Sequence, residues 1–323
     1  MRDADYIYAV ACIRTKEKSL LKDTDIQTIS GLPSEKAVIT YLNERGWGKS
    51  DTKEAEELLS VEEAKTSEVL SELGVGENVI DILMFREYFH NLKTAIKQVC
   101  TDEADDPRAF YSSSRFDGEK LKTIIRDNAF EKLPPYMSKA AEKAKDVMLT
   151  ARDGQRCDSI IDRACLEAMI SEAAATRDSF LIDYAESKVA TADIKIAVRG
   201  CGTKKSYDFI LEALCPCKAF DVKELAKAAA AGKEELLNFL AHTDYSEAAE
   251  AVNESFSSFE KWCDDVMIKK IMNQKNNIQS VGPVVAYYLA RQNEIRMVRI
   301  ILTAKANGFP DRIISERVRK MYG

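Results

Sequence analysis

The hydrophobic and polar residues of this chain recur with the period of an α-helix. One stretch shows this through four large apolar residues, Phe85, Phe89, Leu92 and Ile96. Their spacing of four, three and four residues places them on one face of a helix. Residues 155–199 and 233–281 contain neither Gly nor Pro and are rich in Ala, Leu, Glu and Lys, which lose little entropy in a helix. Strict alternation, which indicates a strand, is absent. The pattern predicts an all-α protein with long helices.

A short motif of polar, apolar and basic residues occurs three times. It reads NLKTAI from Asn91, DIKIAV from Asp193 and EIRMVR from Glu294, so the copies begin 102 and 101 residues apart. Successive residues of a helix are about 100° apart, so the Leu or Ile can face the core while the polar residue and the base lie on either side of it. A repeat at this spacing predicts three equivalent helices.

A second motif also occurs three times, in the same order relative to the first. TDIQTI begins at Thr24, FDGEKL at Phe116 and FDVKEL at Phe220, each with Asp second and Ile or Leu sixth. Asp at this place suits the start of a helix, where its carboxylate meets free backbone N–H groups. A third similarity joins CDSIID from Cys157 to CDDVMI from Cys263. Chance likeness among amphipathic helices is the alternative, and two motifs in constant order weigh against it.

The repeats divide the chain into three predicted helical units, 1–105, 106–202 and 203–323, the last with an added C-terminal helix. The boundaries fall in stretches with the composition of linkers: 101–115 is acidic, then Ser-rich, with a proline, and 200–205 contains two glycines. Before the final helix, Gly308 can end the preceding helix in a left-handed conformation, and Pro310 can open the next one.

The candidate functional residues are the polar residues beside the apolar stripe of each motif helix: Asn91, Lys93, Asp193, Lys195, Glu294, Arg296 and Arg299. If three like units close into a ring, the base of each motif could meet the acid or amide of its neighbour and hold the units together. The same residues could instead contact a partner protein. Three solvated helix faces are the third possibility.

Composition and charge narrow the class of protein. Hydrophobic residues make up 46% of the chain and charged residues 31%, which favours buried cores over disorder. The net charge of −6 argues against a general nucleic-acid-binding protein. The charge is uneven, because 51–81 holds ten acids and two bases, whereas 291–323 holds eight bases and three acids. These two stretches could orient a partner, or could simply be solvated helix faces.

The N-terminal sequence and the cysteines indicate a cytosolic protein. The first residues carry acids and only a short apolar run, unlike a secretory signal, and no stretch approaches the roughly 18 apolar residues of a membrane span. The eight cysteines have no framework spacing, so we expect reduced thiols. Cys215 and Cys217 form the only close pair, with one residue between them where zinc sites usually have two.

No catalytic or nucleotide-binding motif is apparent. His90 and His242 are the only histidines, and we interpret His90 as a residue of a helix face rather than a catalytic base. GVGENV at 74–79 and GCGTKKS at 200–206 lack the spacing of dinucleotide and phosphate loops. We expect both to be helix termini.

The pair Asp264 and Asp265 begins like the metal-binding Asp pairs of all-helical prenyl-chain enzymes. Those continue as D-D-x-x-D, whereas the fifth position here is Ile268, and no second acidic motif follows. A magnesium site needs several converging oxygens. The sequence thus predicts no catalytic residue, no cofactor and no metal, and it favours a component of an assembly over an enzyme.

Three stretches resemble one family. YYLARQNEIRMVRIILTAKANGFPDRIISERVR at 287–319 closely resembles the C-terminal part of the C subunit of V/A-type ATPases, which is called the d subunit in eukaryotes. YIYAVACIRTKEKSLLKDTDIQTI near the start resembles the family's opening helix, and EYFHNLKTAI resembles its Asn-Leu-Lys helix. The resemblance spans essentially the whole chain and is weakest at 140–180 and 230–280.

The resemblance implies an all-α funnel of three similar units around a pseudo-threefold axis. It implies a non-catalytic rotor component on the cytoplasmic face of the membrane proteolipid ring, which receives the foot of the central shaft made of the D and F subunits. Torque would pass through it, linking ATP hydrolysis or synthesis to proton or sodium transport. The motif helices are expected to line the funnel. The competing classes are a helical scaffold or regulatory adaptor unrelated to ion pumping, and a Mg²⁺-dependent enzyme using the Asp pair.

Overall fold

Every regular element in the part of the chain that the structure describes is a helix. The computed structural model describes residues 3–49, 52–101, 106–278 and 280–323. These residues form sixteen α-helices and four short 3₁₀-helices, with no strand among them. The prediction of an all-α protein is confirmed.

The α-helices have the following bounds: α1 Asp3–Lys16, α2 Asp23–Ser30, α3 Glu35–Glu44, α4 Ala55–Glu72, α5 Glu77–Cys100, α6 Gly118–Asp127, α7 Pro135–Thr150, α8 Gly154–Thr176, α9 Ser179–Gly202, α10 Tyr207–Ala213, α11 Val222–Ala231, α12 Lys233–Ala241, α13 Glu247–Glu254, α14 Phe256–Met272, α15 Gly282–Ala306 and α16 Asp311–Arg317. The 3₁₀-helices are Glu17–Ser19, Pro107–Ala109, Phe130–Lys132 and Asn273–Asn276.

The helices group into two compact units. The terminal unit combines Met1–Gly76 with Glu250–Gly323, and the central unit is Glu77–Ala249. The acidic part of the expected first linker, 102–105, lies outside the described residues. The predicted division into 1–105, 106–202 and 203–323 stays a prediction.

The core of the terminal unit surrounds α15, the longest helix among the described residues. The side chains of Ile295, Val298 and Ile301 are at most 2% exposed and belong to one apolar cluster with residues of α2, α3 and α4. Met321 joins this cluster from the C-terminal segment. Most residues of α15 are buried, and these include the polar Arg291, Asn293 and Glu294 as well as apolar residues.

The central unit packs α5 against α6, α7 and α8, and packs α9 against α8 and α11. The predicted stripe of α5 is buried along its length, at Phe85, Phe89, Leu92 and Ile96. This confirms the helical face that the spacing indicated.

The Asp of the second motif stands at a helix start in all three copies, as predicted. Asp117 caps α6 by accepting a hydrogen bond from the Lys120 N–H (3.0 Å), and Asp221 caps α11 by accepting one from the Lys223 N–H (2.7 Å). Asp25 lies in the first turn of α2 and accepts from the Lys22 N–H (2.8 Å).

The expectation of long unbroken helices is wrong for two stretches. In 155–199 the chain breaks at Arg177, which has a left-handed φ of 57°, and Asp178 then caps α9. The described residues of 233–281 contain three separate α-helices, and Ser255 caps the third. Short polar side chains that bond the backbone locally can end and start helices without Gly or Pro.

The two glycine motifs end helices, as expected. Gly74 of the first glycine motif follows α4 with φ +61°. Gly308, which the sequence separately predicts to end the helix before the last one, follows α15 with φ +67°. The stretch 200–205 is the last turn of α9 and a short turn, rather than an open linker. Gly200 lies so close to Ile210 that a Cβ would be 2.8 Å from its Cγ1.

Candidate functional site

The first motif residue, Asn91, is buried in α5 and holds the segment that leads into α6. Its Nδ2 donates to the carbonyl oxygens of Tyr111 (3.0 Å) and Phe116 (3.1 Å). Its Oδ1 accepts from the Tyr111 N–H (2.8 Å). All the polar atoms of this side chain are therefore used to fix one neighbouring segment.

The second motif residue, Asp193, is fully buried in α9 and holds the segment that leads into α11. Its Oδ1 accepts from the Cys215 N–H (3.0 Å). Its Oδ2 is buried and has no hydrogen-bond partner among the described residues. Burial raises the pKa of Asp193 to about 7, against the opposing effects of the Cys215 N–H and the Arg163 guanidinium.

The third motif residue, Glu294, is 1% exposed in α15 and holds the segment that leads into α2. Its Oε1 accepts from the Leu21 N–H and its Oε2 accepts from the Arg291 guanidinium. Burial raises the pKa of Glu294 to about 7, while Arg291 and the Leu21 N–H act in the opposite direction. Both carboxylate oxygens of Glu294 have hydrogen-bond donors, whereas only Oδ1 of Asp193 has one.

In each of the three cases, a side chain of the first motif bonds the backbone a few residues before the Asp of the second motif. We call each of these contacts a joint. Tyr111 lies six residues before Asp117, and Cys215 lies six residues before Asp221. Leu21 lies four residues before the third equivalent, Asp25. Each motif helix therefore anchors the segment that enters a helix of the second motif, in the pairs α5 with α6, α9 with α11 and α15 with α2.

The bases of the motifs pair with acids on the helices of the third similarity. Lys93 Nζ lies 2.8 Å from Asp162 Oδ1 on α8. Arg296 Nη1 lies 3.1 Å from Asp264 Oδ1 on α14, and its Nη2 donates to Asn293. Both bases thus pair with an acid outside the three copies of the motif, and a role of the motif bases in holding the units together stays a prediction. Lys195 is half-buried on α9.

The acidic and basic stretches of the sequence meet each other within the terminal unit. Arg299 of α15 lies 3.0 Å from both Glu56 and Glu63 of α4. On the same two helices, Arg291 bonds Glu62. Part of the charge that the sequence offers to a partner is thus compensated inside the chain.

A buried charge centre lies between α4 and α15. Arg291 donates to both Glu62 and Glu294, and its guanidinium carbon is 4.8 Å from the centre of the Trp47 ring. Glu62 also accepts from the Gly48 N–H (2.8 Å). A cavity of about 270 Å³ opens beside this centre, lined among others by Lys16, Arg45, Lys65, Glu72 and Tyr287.

Three cations around this cavity have anionic partners. Arg45 lies 2.8 Å from Asp25, Lys65 lies 2.7 Å from Glu62, and Lys16 lies 3.8 Å from Glu72. The cavity is therefore bounded by ion pairs.

Two of the remaining candidates for chemistry, His90 and Asp264, have structural partners. His90 bonds the Ala109 carbonyl through Nε2 (3.0 Å), which agrees with its interpretation as a helix-face residue. Asp264 forms ion pairs with Arg296 and Arg319. All eight cysteines are free thiols, as expected.

Burial separates the seven candidate residues into two groups. Asn91, Asp193 and Glu294 are at most 1% exposed, so within this chain they are joint residues. The bases reach the surface, with 45% of the Arg296 side chain and 40% of the Arg299 side chain exposed.

Sequence reasoning missed the other half of the joints. The constant order of the two motifs was visible, but it did not reveal that backbone atoms of Tyr111, Cys215 and Leu21 are the partners. It also missed Arg291, whose importance follows only from its burial against Glu62 and Trp47.

None of the described helices has the length and apolar character needed to cross a membrane.

Comparison with known proteins identifies one family. The family model for the ATP synthase (C/AC39) subunit matches residues 9–317. The C subunit of the V-type sodium ATPase of Enterococcus hirae is 23% identical over 276 residues, covering 84% of this chain and 83% of that relative. The C subunit of the A-type ATP synthase of Methanobrevibacter smithii is 27% identical over 175 residues, covering 49% of this chain and 45% of that relative.

Proposed function

Because this chain belongs to the ATP synthase (C/AC39) subunit family, we propose that it is the non-catalytic C subunit of a V/A-type ATPase rotor. It couples the central shaft, made of the D and F subunits, to the membrane proteolipid ring, so that ATP hydrolysis or synthesis is linked to proton or sodium transport. The observation that carries this proposal is the family match across residues 9–317.

The buried joints support a mechanical role. A protein that transmits torque must resist deformation, and close-packed helices have low compressibility. Asn91, Asp193 and Glu294 each lock a helix to a neighbouring segment through buried hydrogen bonds. Such bonds are strong where water does not compete for them. Rigid helix pairs of this kind suit a coupling element.

The same joints support the threefold organisation. We propose that units 1–105, 106–202 and 203–323 are equivalent and surround a pseudo-threefold axis as a funnel. Three anchors of one kind, each between a motif helix and the start of a second-motif helix, are what three related units would contribute.

The partly exposed bases are the residues proposed to meet a partner. Lys93, Lys195, Arg296 and Arg299 lie on the three motif helices, which we propose line the funnel. The protein would be cytoplasmic and would reach the membrane only through the ring. It needs no cofactor and no nucleic acid for this role.

Binding to the shaft tests the proposal. The purified chain is mixed with a purified D/F shaft subcomplex, first in a pull-down and then in a calorimeter. We expect a one-to-one complex of micromolar or tighter affinity. If the folded chain binds no shaft subcomplex at moderate salt, the rotor function is wrong, and a helical scaffold or adaptor unrelated to ion pumping takes its place.

A further inference from the structure

The first two joints have the same geometry but different chemistry. Oδ1 of Asn91 and Oδ1 of Asp193 both accept from a backbone N–H six residues before a helix-capping Asp. On the other side of Asn91, Nδ2 supplies hydrogens to two carbonyl oxygens. The corresponding atom of Asp193 is Oδ2, which is buried without a hydrogen-bond partner among the described residues.

A charged carboxylate fits this place poorly. An ionised carboxylate can only accept hydrogen bonds, whereas Asn91 donates from the equivalent atom. Cys215 and Phe220 stand at the same sequence distances before and beside the capping Asp as Tyr111 and Phe116, whose carbonyl oxygens accept from Asn91 Nδ2 in the first joint. An ionised Oδ2 has no hydrogen to donate and stays buried without a partner, whereas a single proton would let it donate as Asn91 does.

We propose that Asp193 is protonated on Oδ2 in the folded protein, so that it acts as an Asn analogue and makes the α9 joint a proton-dependent latch. The proton comes from solvent, forms one O–H bond and leaves the side chain neutral. The hydroxyl then donates to a carbonyl of the segment that it already holds through the Cys215 N–H. Loss of the proton releases this second contact.

The charged neighbours do not oppose this state strongly. Within the described part of the chain, Arg163 of α8 is the cation that acts on Asp193, and its Nε is already 2.8 Å from Glu167 of the same helix. Its Nη1 donates to the Glu212 carbonyl of α10 (3.1 Å). From the held segment, the thiols of Cys215 and Cys217 interact electrostatically with the Asp193 carboxyl, and burial raises the pKa of both thiols.

The latch has a defined pH window. The pKa of Asp193 in the folded chain, about 7, lies above the value of about 3.9 for Asp in an unfolded chain. Folding therefore takes up a proton between these values. The stabilisation from Asp193 is complete below pH about 4 and is lost as the pH rises through about 7.

Reciprocal substitutions test the latch. Asp193→Asn should fold and should remove the pH dependence that Asp193 contributes. Between pH 5 and pH 8 the folding equilibrium constant of the wild type should fall by about tenfold to a hundredfold more than that of the variant. Asn91→Asp should gain a similar fall, because it places a carboxyl before the carbonyls of Tyr111 and Phe116. Glu294 titrates equally in all three proteins, so the differences isolate the two joints.

Two measurements on the wild type keep the proposal falsifiable if a variant fails to fold. The ¹³C shift of the Asp193 carboxyl should report a neutral acid at pH 5. Exchange of the Cys215 amide hydrogen should accelerate above pH 7 by more than the pH dependence of intrinsic amide exchange explains. A carboxyl already ionised at pH 5 would overturn the proposal. So would parallel stability curves for the wild type and Asp193→Asn. Neither result depends on shaft binding, so the latch and the proposed rotor function can fail separately.

Discussion

At the scale of single residues, burial decides what each polar side chain does. Asn91, Asp193 and Glu294 occupy equivalent sequence positions beside an apolar stripe, where a solvated role was one expectation. A buried polar group without a partner costs about 1–3 kcal/mol, so each of them must find a donor or acceptor nearby. All three side chains accept hydrogen bonds from backbone N–H groups of a neighbouring segment. The result is a joint rather than a charged surface.

Two glycines at matched helix positions give a test of packing at the first joint. Gly118 and Gly154 each follow a capping Asp at the first position of a helix. A Cβ on Gly118 would lie 2.6 Å from the Phe110 ring, whereas a Cβ on Gly154 would meet nothing within 4 Å. We expect Gly118→Ala to lower the free energy of unfolding by about 1–3 kcal/mol, because the Phe110 ring must move.

The control substitution should change the free energy of unfolding in the opposite direction. Gly154→Ala should raise the free energy of unfolding by up to about 1 kcal/mol, since Ala restricts the unfolded chain and fits the helix. Urea unfolding of both variants measures the difference. Equal effects of the two substitutions would contradict the close packing of Phe110 on α6.

At the scale of helices, the packing of α4 against α15 brings acidic and basic stretches of the sequence into contact. The acidic stretch and the basic stretch lie more than two hundred residues apart in the chain, yet Arg299 bonds Glu56 and Glu63 across the two helices. Arg291 makes the buried version of the same contact with Glu62. One helix pair therefore contains both a surface ion pair and a buried one, which differ in energetic weight.

This difference predicts different losses of stability when each of three arginines is replaced by Ala. Arg296→Ala and Arg299→Ala remove partly exposed pairs and should each cost less than about 1 kcal/mol of stability, with little change in melting temperature. Arg291→Ala leaves Glu294 buried without a cation and Glu62 with Lys65 alone, and it should cost about 3–5 kcal/mol. Thermal and urea unfolding measure these effects.

Shaft binding then separates the roles of the exposed bases. If Arg296 and Arg299 meet the partner, their Ala variants should bind the D/F subcomplex more weakly while keeping their melting temperature. Arg312→Ala removes a base that is 86% exposed on α16 and serves as the charge-matched control. A large fall in melting temperature with unchanged affinity would assign Arg296 and Arg299 to the fold alone.

At the scale of the whole molecule, the last residues complete the terminal unit. The Met321 N–H donates to Asp23 Oδ1 (2.9 Å), and the Tyr322 hydroxyl donates to Glu17 Oε1 (3.0 Å). Met321 and Tyr322 are each 2% exposed. The C-terminal segment therefore packs on the part of the chain that Glu294 also holds, around Leu21.

Removal of residues 321–323 should selectively weaken the terminal unit. Burying side chains such as those of Met321 and Tyr322 stabilises by about 1.5–3 kcal/mol each, so we expect a loss of at least about 3 kcal/mol. Hydrogen exchange should show faster opening at Leu21 and unchanged protection at Tyr111 of the central unit. Tyr322→Phe, which removes one hydroxyl bond, should cost only about 0.5–1.5 kcal/mol. Equal acceleration in both units would contradict this.

The sequence by itself determined the helical class, the buried stripe of α5, the three motif helices and the helix starts at Asp25, Asp117 and Asp221. These follow from periodicity and capping, which are local properties of the chain. The sequence also carried the family, through stretches that resemble its members, and the match over residues 9–317 confirms it. Helix boundaries were harder to predict from local sequence, because Asp178 and Ser255 cap new helices within stretches that contain no Gly or Pro.

Only the tertiary structure decided the partners of the polar motif residues. Glu294 bonds a backbone atom 273 residues away, and Asn91 and Asp193 bond backbone atoms 20 and 22 residues away. The pairing of Arg299 with Glu56 is equally remote. Whether a polar residue beside an apolar stripe faces water or a second segment depends on which segments pack there. That packing is set by the apolar area buried throughout the fold, and no local pattern encodes it.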